Sequence, residues 1–271
     1  MIGFERGPEP ALLLDVRTAK LVGLRRIAAT RPPVAGDIEG YRVIAEHIWR
    51  AQHHKCCYCE TILLLGYNDV DHFRPKAWAD RGPHCAATHG YWWLSFTWEN
   101  LLFSCAGCNR GLAKGTRFPL AAGSVALDPL TEEEPPGRET PLLIDPATES
   151  GIDHIEFRFS DREKMWRPVP RGGSPKGDAT IAVCRLDRED LLELYTSHVE
   201  RNVLPEVHEV RNALARGDKR ALHEAHWRAQ RRLLRPSEPY VGLSYDALVH
   251  HISDDDLAPF RLSWFRPTGR L

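Results

Sequence analysis

Four of the seven cysteines fall into two Cys-x-x-Cys pairs, Cys56/Cys59 and Cys105/Cys108. Such a knuckle lets two thiolates reach one ion at about 2.3 Å, and two knuckles close a tetrahedral four-cysteine zinc site. Here 45 residues separate Cys59 from Cys105, against about 15–20 in a short zinc ribbon. The ion would therefore close a long loop. A closed four-thiolate site has no open position for a substrate, so its expected role is structural. Cys57, Cys85 and Cys184 read as ordinary thiols. An odd cysteine count fits reduced thiols rather than a disulfide framework, and the chain is expected to be cytoplasmic.

The loop between the knuckles holds the other reactive side chains. It contains Asp69-Val70-Asp71-His72-Phe73-Arg74-Pro75-Lys76, then Trp98-Glu99-Asn100-Leu101-Leu102-Phe103. Asn109-Arg110-Gly111-Leu112-Ala113-Lys114 follows the second knuckle directly. An Asp-His pair, a mid-segment Asn, and an Asn straight after a Cys-x-x-Cys resemble an HNH endonuclease of the zinc-bearing kind. The string from Lys55 to Leu120 is similar to one subgroup, the HNH proteins encoded beside ATPases in bacterial anti-phage systems of the Septu and retron-linked type. The resemblance is strong over about 65 residues.

The resemblance implies an α+β chain with a ββα-metal (His-Me finger) core, embedded in a mostly helical surround. It implies that Asp71 and Asn109 hold a catalytic Mg²⁺ or Mn²⁺, and that Asn100 ties down the loop orienting His72. It also implies a separate ATPase subunit as partner; this chain has no G-x-x-x-x-G-K-[ST] loop of its own.

Physical chemistry supports those roles. Phosphodiester hydrolysis needs a water nucleophile, charge stabilisation and help for the leaving alkoxide. A neutral imidazole such as His72 can take the proton from water. Mg²⁺ prefers few protein ligands with hard oxygens, which a carboxylate and an amide supply. Adjacent strand residues point to opposite faces, so Asp71 and His72 need a strand end to share a site. Arg74, Lys76, Arg110, Lys114 and Arg117 are candidate phosphate contacts. Lys114 is foremost among them, placed on the same expected helix as Asn109. Trp92, Trp93, Phe96 and Trp98 could stack on bases, but their bulk and alternation favour a core strand.

The elements that must position these groups are then read from periodicity. Residues 1–54 form a helical lead: a helix over 9–31 ended by Arg31-Pro32-Pro33, and a second over 37–54 capped by Asp37. The nuclease core spans 55–120, with strands near 61–71 and 91–97 and a helix near 106–114. Residues 121–150, rich in Pro and Glu, read as an exposed acidic linker. Residues 151–271 form an accessory region, with a strand over 152–159, a pairing segment at 165–169, and helices from residue 178 onward. Pro205 should kink a helix, Gly217 end one, Asp218 cap the next, and Ser244 cap a short final one. His223 and His226 are three apart, unlike H-E-x-x-H, and read as a packing face.

Composition is globular, with 42% apolar and 27% charged residues. No apolar run reaches the ~20 residues of a membrane helix, and no secretory signal is expected at the start. Net charge is −1, with 36 Lys+Arg against 37 Asp+Glu, which excludes a simple basic nucleic-acid binder. The charge is unevenly placed. Residues 201–235 carry nine basic against four acidic side chains, and residues 128–163 carry three against eleven. The expected activity is metal-dependent cleavage of DNA in anti-phage defence. Cleavage of RNA, such as transfer RNA, and a zinc-stabilised scaffold without activity are the alternatives.

Overall fold

The computed structural model describes residues 3–267. Helix α1 (Ala11–Ala28) follows Pro10 and buries Leu13 and Leu24. It stops ahead of Arg31-Pro32-Pro33, as a proline pair requires. The helix expected over 37–54 is shorter. Short 3-10 turns at Ala35–Asp37 and Tyr41–Ile44 precede α2 (Ala45–Ala51), and Gly40 breaks the run with φ of 101°. Asp37 does not cap α2. Its carboxylate closes the first turn by accepting from Val34 N at 2.8 Å and pairs with Arg31 at 2.7 Å.

Strand β1 (Asp69–His72) pairs antiparallel with β2 (Leu101–Ser104), setting Asp69 opposite Ser104 and His72 opposite Leu101. Every residue of both strands is buried. Helix α3 (Ala106–Asn109), a single turn, follows immediately. The strand expected over 91–97 is absent. That stretch folds into 3-10 turns, Trp92–Leu94 and Trp98–Asn100, which drive Trp92, Trp93, Phe96 and Trp98 into the core from several directions. They are core residues and not base platforms.

Residues 121–150 carry no helix or strand, as expected, but they are not an exposed linker. Leu127, Leu143 and Ile144 are fully buried. Buried Glu139 accepts from Tyr91 Oη and, at 2.9 Å, from Arg74 Nε. Three apolar anchors and a buried carboxylate, which also accepts from Leu127 N at 3.2 Å, bind this segment to the core. Buried side chains from Phe4 to Trp264 form one continuous cluster.

The rest is a second hairpin and a helical array. Strands β3 (Ile155–Ser160) and β4 (Met165–Pro170) pair antiparallel. Helices α4 (Pro175–Cys184), α5 (Glu189–His198), α6 (Leu204–Arg216), α7 (Lys219–Leu233), α8 (Val241–His251) and α9 (Asp254–Leu257) follow. Between α5 and α6 the chain makes a widened π turn, Val199–Val203. Pro205 has no N–H to donate back, so the helix widens just before it and continues. Gly217 ends α6 with φ of 64°, and Asp218 caps α7 by accepting from Ala221 N. Ser244 caps nothing: it is buried inside α8, with its hydroxyl 2.9 Å from His198 Nε2. His226 packs, stacked on Trp264 at 4.7 Å.

Candidate functional site

Two unlike centres are built around the β1–β2 pair. On one side the sulfurs of Cys56, Cys59, Cys105 and Cys108 all lie within 4.8 Å of one another. Cys59 and Cys105 sulfurs are 3.8 Å apart; a tetrahedron with bonds of about 2.3 Å has edges of about 3.8 Å. Local folding explains how ligands so far apart in sequence meet. Ser104 ends β2 one residue before Cys105, and Cys57 N donates to Phe103 O at 3.1 Å, docking the first knuckle on the same strand. Donors surround the sulfurs: Cys105 N reaches Cys56 Sγ at 3.4 Å, and Arg188 Nη1 reaches Cys108 Sγ at 3.4 Å. Burial pushes the Cys56 thiol up while hydrogen bonds from Cys105 and Cys108 pull Cys59 down; a dication would hold all four ionised together. The cluster fits a zinc ion. Cys57, Cys85 and Cys184 stand outside it; burial lifts Cys57 to about 11.

On the other side is an open cleft of about 210 Å³, lined among others by Asp71, His72, Lys76, Trp78 and Asn109. His72 is the last residue of β1, which is how it and Asp71 reach one cleft despite strand alternation. Its ring sits edge-on to Tyr41, centroids 4.5 Å apart. His72 Nε2 lies 3.0 Å from the carbonyl oxygen of Ser95. A carbonyl only accepts, so Nε2 carries the proton and Nδ1 keeps its lone pair. Nδ1 has no partner among the described residues. Burial, reinforced by the Lys76 ammonium, pushes the His72 pKa down to about 3, so the ring is neutral across the physiological range.

Asn100 lines no part of this cleft. Its Oδ1 accepts from Arg74 N at 2.7 Å, and its Nδ2 donates to Arg74 O at 3.1 Å and Leu94 O at 3.2 Å. It thus ties the turn after β1 to Leu94, the neighbour of the Ser95 that holds His72. Asn100 touches the imidazole only through the backbone.

Asp71 is more engaged than the sequence suggested. Its Oδ1 accepts from Lys114 Nζ at 2.9 Å and its Oδ2 from Tyr58 Oη at 2.8 Å. Burial raises its pKa, opposed by the Lys114 ammonium. Asn109 donates from Nδ2 to Asp69 Oδ2 at 3.2 Å, while Arg110 grips the same carboxylate at 2.5 and 2.7 Å. Asp69 was not singled out from sequence. The signal was present, since Asp69 and Asp71 are two apart on one strand face.

The expected phosphate contacts separate. Lys76 lines the cleft, its Nζ donating to Tyr41 Oη at 2.9 Å. Arg110 is exposed apart from its grip on Asp69. Arg117 donates to Leu112 O at 2.6 Å. Arg74 is turned inward against Glu139. Lys114 is fully buried and cannot meet a phosphate. The reason is local: α3 ends at Asn109, and positive φ at Gly111 and Gly115 turns the chain back under β1. Lys114 Nζ there binds Asp71 and, at 2.7 Å, His72 O. The indole at the cleft is Trp78, 47% exposed, which nothing in its sequence setting marked.

Among the described residues no helix is long and apolar enough to cross a membrane. No family model matches the chain, and no solved structure matches it. The chain is similar to the Septu protein PtuB of Bacillus mycoides (strain KBAB4), being 31% identical over 202 residues that make up 71% of this chain and 65%, just under two thirds, of that relative.

Proposed function

We propose that this protein is a metal-dependent HNH-type endonuclease that cleaves DNA, acting with a separate ATPase in anti-phage defence. The observation that carries the reading is His72: a neutral imidazole, held through Nε2, with Nδ1 unpartnered in a cleft it shares with Asp71 and Asn109. That is the state a general base needs before it takes a proton from water. Ser95 O fixes the tautomer, and Asn100 fixes the loop that carries Ser95. Lys76 supplies positive charge beside the imidazole.

The donor set suits a hard divalent ion. Asp71 and Asn109 both line the cleft and carry a carboxylate and an amide oxygen, and Mg²⁺ is satisfied by few protein oxygens plus water. Such an ion would offset charge on the phosphoryl oxygens and the leaving alkoxide. The defence role and the ATPase partner rest on the similarity to a Septu protein, and the whole system's activity is part of the proposal.

The test is cleavage of plasmid, single-stranded DNA and RNA by the purified chain with Mg²⁺ or Mn²⁺, with and without the ATPase from the same operon. Loss of a general base costs typically 10²–10⁴-fold. His72→Ala should lower cleavage by about that factor while the chain still folds and keeps its zinc. Full cleavage by that variant would remove the mechanism. Cleavage of RNA alone would change the substrate.

A further inference from the structure

We propose that a cavity in the C-terminal helical array binds a phosphate ester of nucleotide size. It encloses about 380 Å³ and is lined by His198, Asn202, Arg231, Arg232, Arg235 and Glu238 among others. The inference does not depend on the nuclease reading.

Three arginines line it, in a chain whose net charge is −1. Arg232 is held by Glu206 at 2.6 Å, and the same carboxylate takes Arg228 at 3.1 Å. Arg231 and Arg235 have no ion-pair partner among the described residues. Arg231 instead lies over the ring of Trp227, 4.7 Å from its centroid. Stacking uses the face of a guanidinium and leaves its N–H edge free. Trp227 is itself 57% exposed. Glu238 is the one carboxylate in the lining, so the cavity keeps a surplus of cationic donors.

A helix end could gather arginines merely to complement its dipole. That accounts for Arg231 and Arg232 in the last turn of α7. It does not account for Arg235, beyond the helix, or for Asn202, which the π turn Val199–Val203 brings to the same cavity. Asn202 Nδ2 lies 3.3 Å from His198 Nδ1, and Ser244 Oγ holds His198 Nε2 at 2.9 Å. A hydrogen-bonded polar wall thus shares the cavity with arginines that lack an ion-pair partner among the described residues. Arginine forks grip phosphate with paired N–H donors, and an exposed indole beside them gives a base a surface to stack on. Phosphate from a free nucleotide and phosphate from a strand share this chemistry.

The His72→Ala chain, which lacks the proposed general base, is titrated calorimetrically at low salt with ATP and, separately, with a twelve-residue oligothymidylate. At least one should bind, and binding should weaken tenfold or more when Arg231→Ala and Arg235→Ala are added, with melting temperature and zinc content unchanged. Competition between the two probes identifies the source of the phosphate. Asn202→Asp, which adds negative charge to the wall at an exposed position, should weaken binding as well and decides the matter if the arginine variant does not fold. Failure of both probes to bind, or equal affinity in the folded variants, overturns the proposal.

Discussion

The knuckle cluster and the cleft share one hairpin, yet they treat polar groups in opposite ways. Around the sulfurs Cys105 N and Arg188 both donate to cysteine Sγ atoms, and the four sulfurs close on one another. In the cleft Asp71 is bonded on both oxygens, but two other side chains are partnered on one atom only. Among the described residues, His72 is bonded through Nε2 but not Nδ1, and Asn109 through Nδ2 but not Oδ1. Saturation produces rigidity, and it leaves no position for a reactant. Selective partnering fixes an orientation while keeping a lone pair available, which is the condition for acid–base chemistry. The first centre can therefore support the second.

If that division holds, removing metal should damage both centres and removing a cleft residue only one. The largest effect is expected from Cys105→Ser or a strong chelator. Structural zinc can contribute about 10 kcal/mol or more to folding, so the zinc content should fall and the cooperative melting transition should collapse. Unchanged metal content by elemental analysis would dissolve the comparison. A smaller loss is expected at the seam. Lys114→Met leaves the buried Asp71 carboxylate without its cation, and breaking a buried pair costs about 3–5 kcal/mol. Denaturant unfolding should show that loss with zinc retained. A variant of wild-type stability would mean that Asp71 does not depend on Lys114.

The ligands of the first centre were legible because the information is short-range: two residues between cysteines fix a knuckle whatever surrounds it. Asp71, His72 and Asn109 were read as a set, and they line one cleft. Lys114 was misread because its role depends on where α3 stops. Five residues after Asn109 reads as one helix face only if the helix continues, and it ends at Asn109. The tryptophan run misled in a similar way. Bulk and alternation suggested a strand over 91–97, but the four rings are buried through successive 3-10 turns, and β2 starts only at Leu101. Residues 121–150 look like a linker by composition; Leu127, Leu143, Ile144 and Glu139 bury it through contacts distant in sequence. Periodicity cannot report such contacts, because each is set by tertiary packing.

Trp78 gives the smallest expected effect and the finest probe of the cleft. Its indole is half exposed beside His72 and Lys76, so Trp78→Ala should leave folding and zinc untouched. Stacking a base on an aromatic ring contributes about 1–3 kcal/mol, and it requires a base free of its own duplex stack. In the His72→Ala background, where binding is read without cleavage, Trp78→Ala should weaken single-stranded DNA by roughly 5- to 150-fold. Duplex affinity should barely move, since its backbone phosphates would still meet Lys76. Equal losses for both forms would assign Trp78 to shaping the cleft wall, and no loss for either would separate the indole from the substrate path.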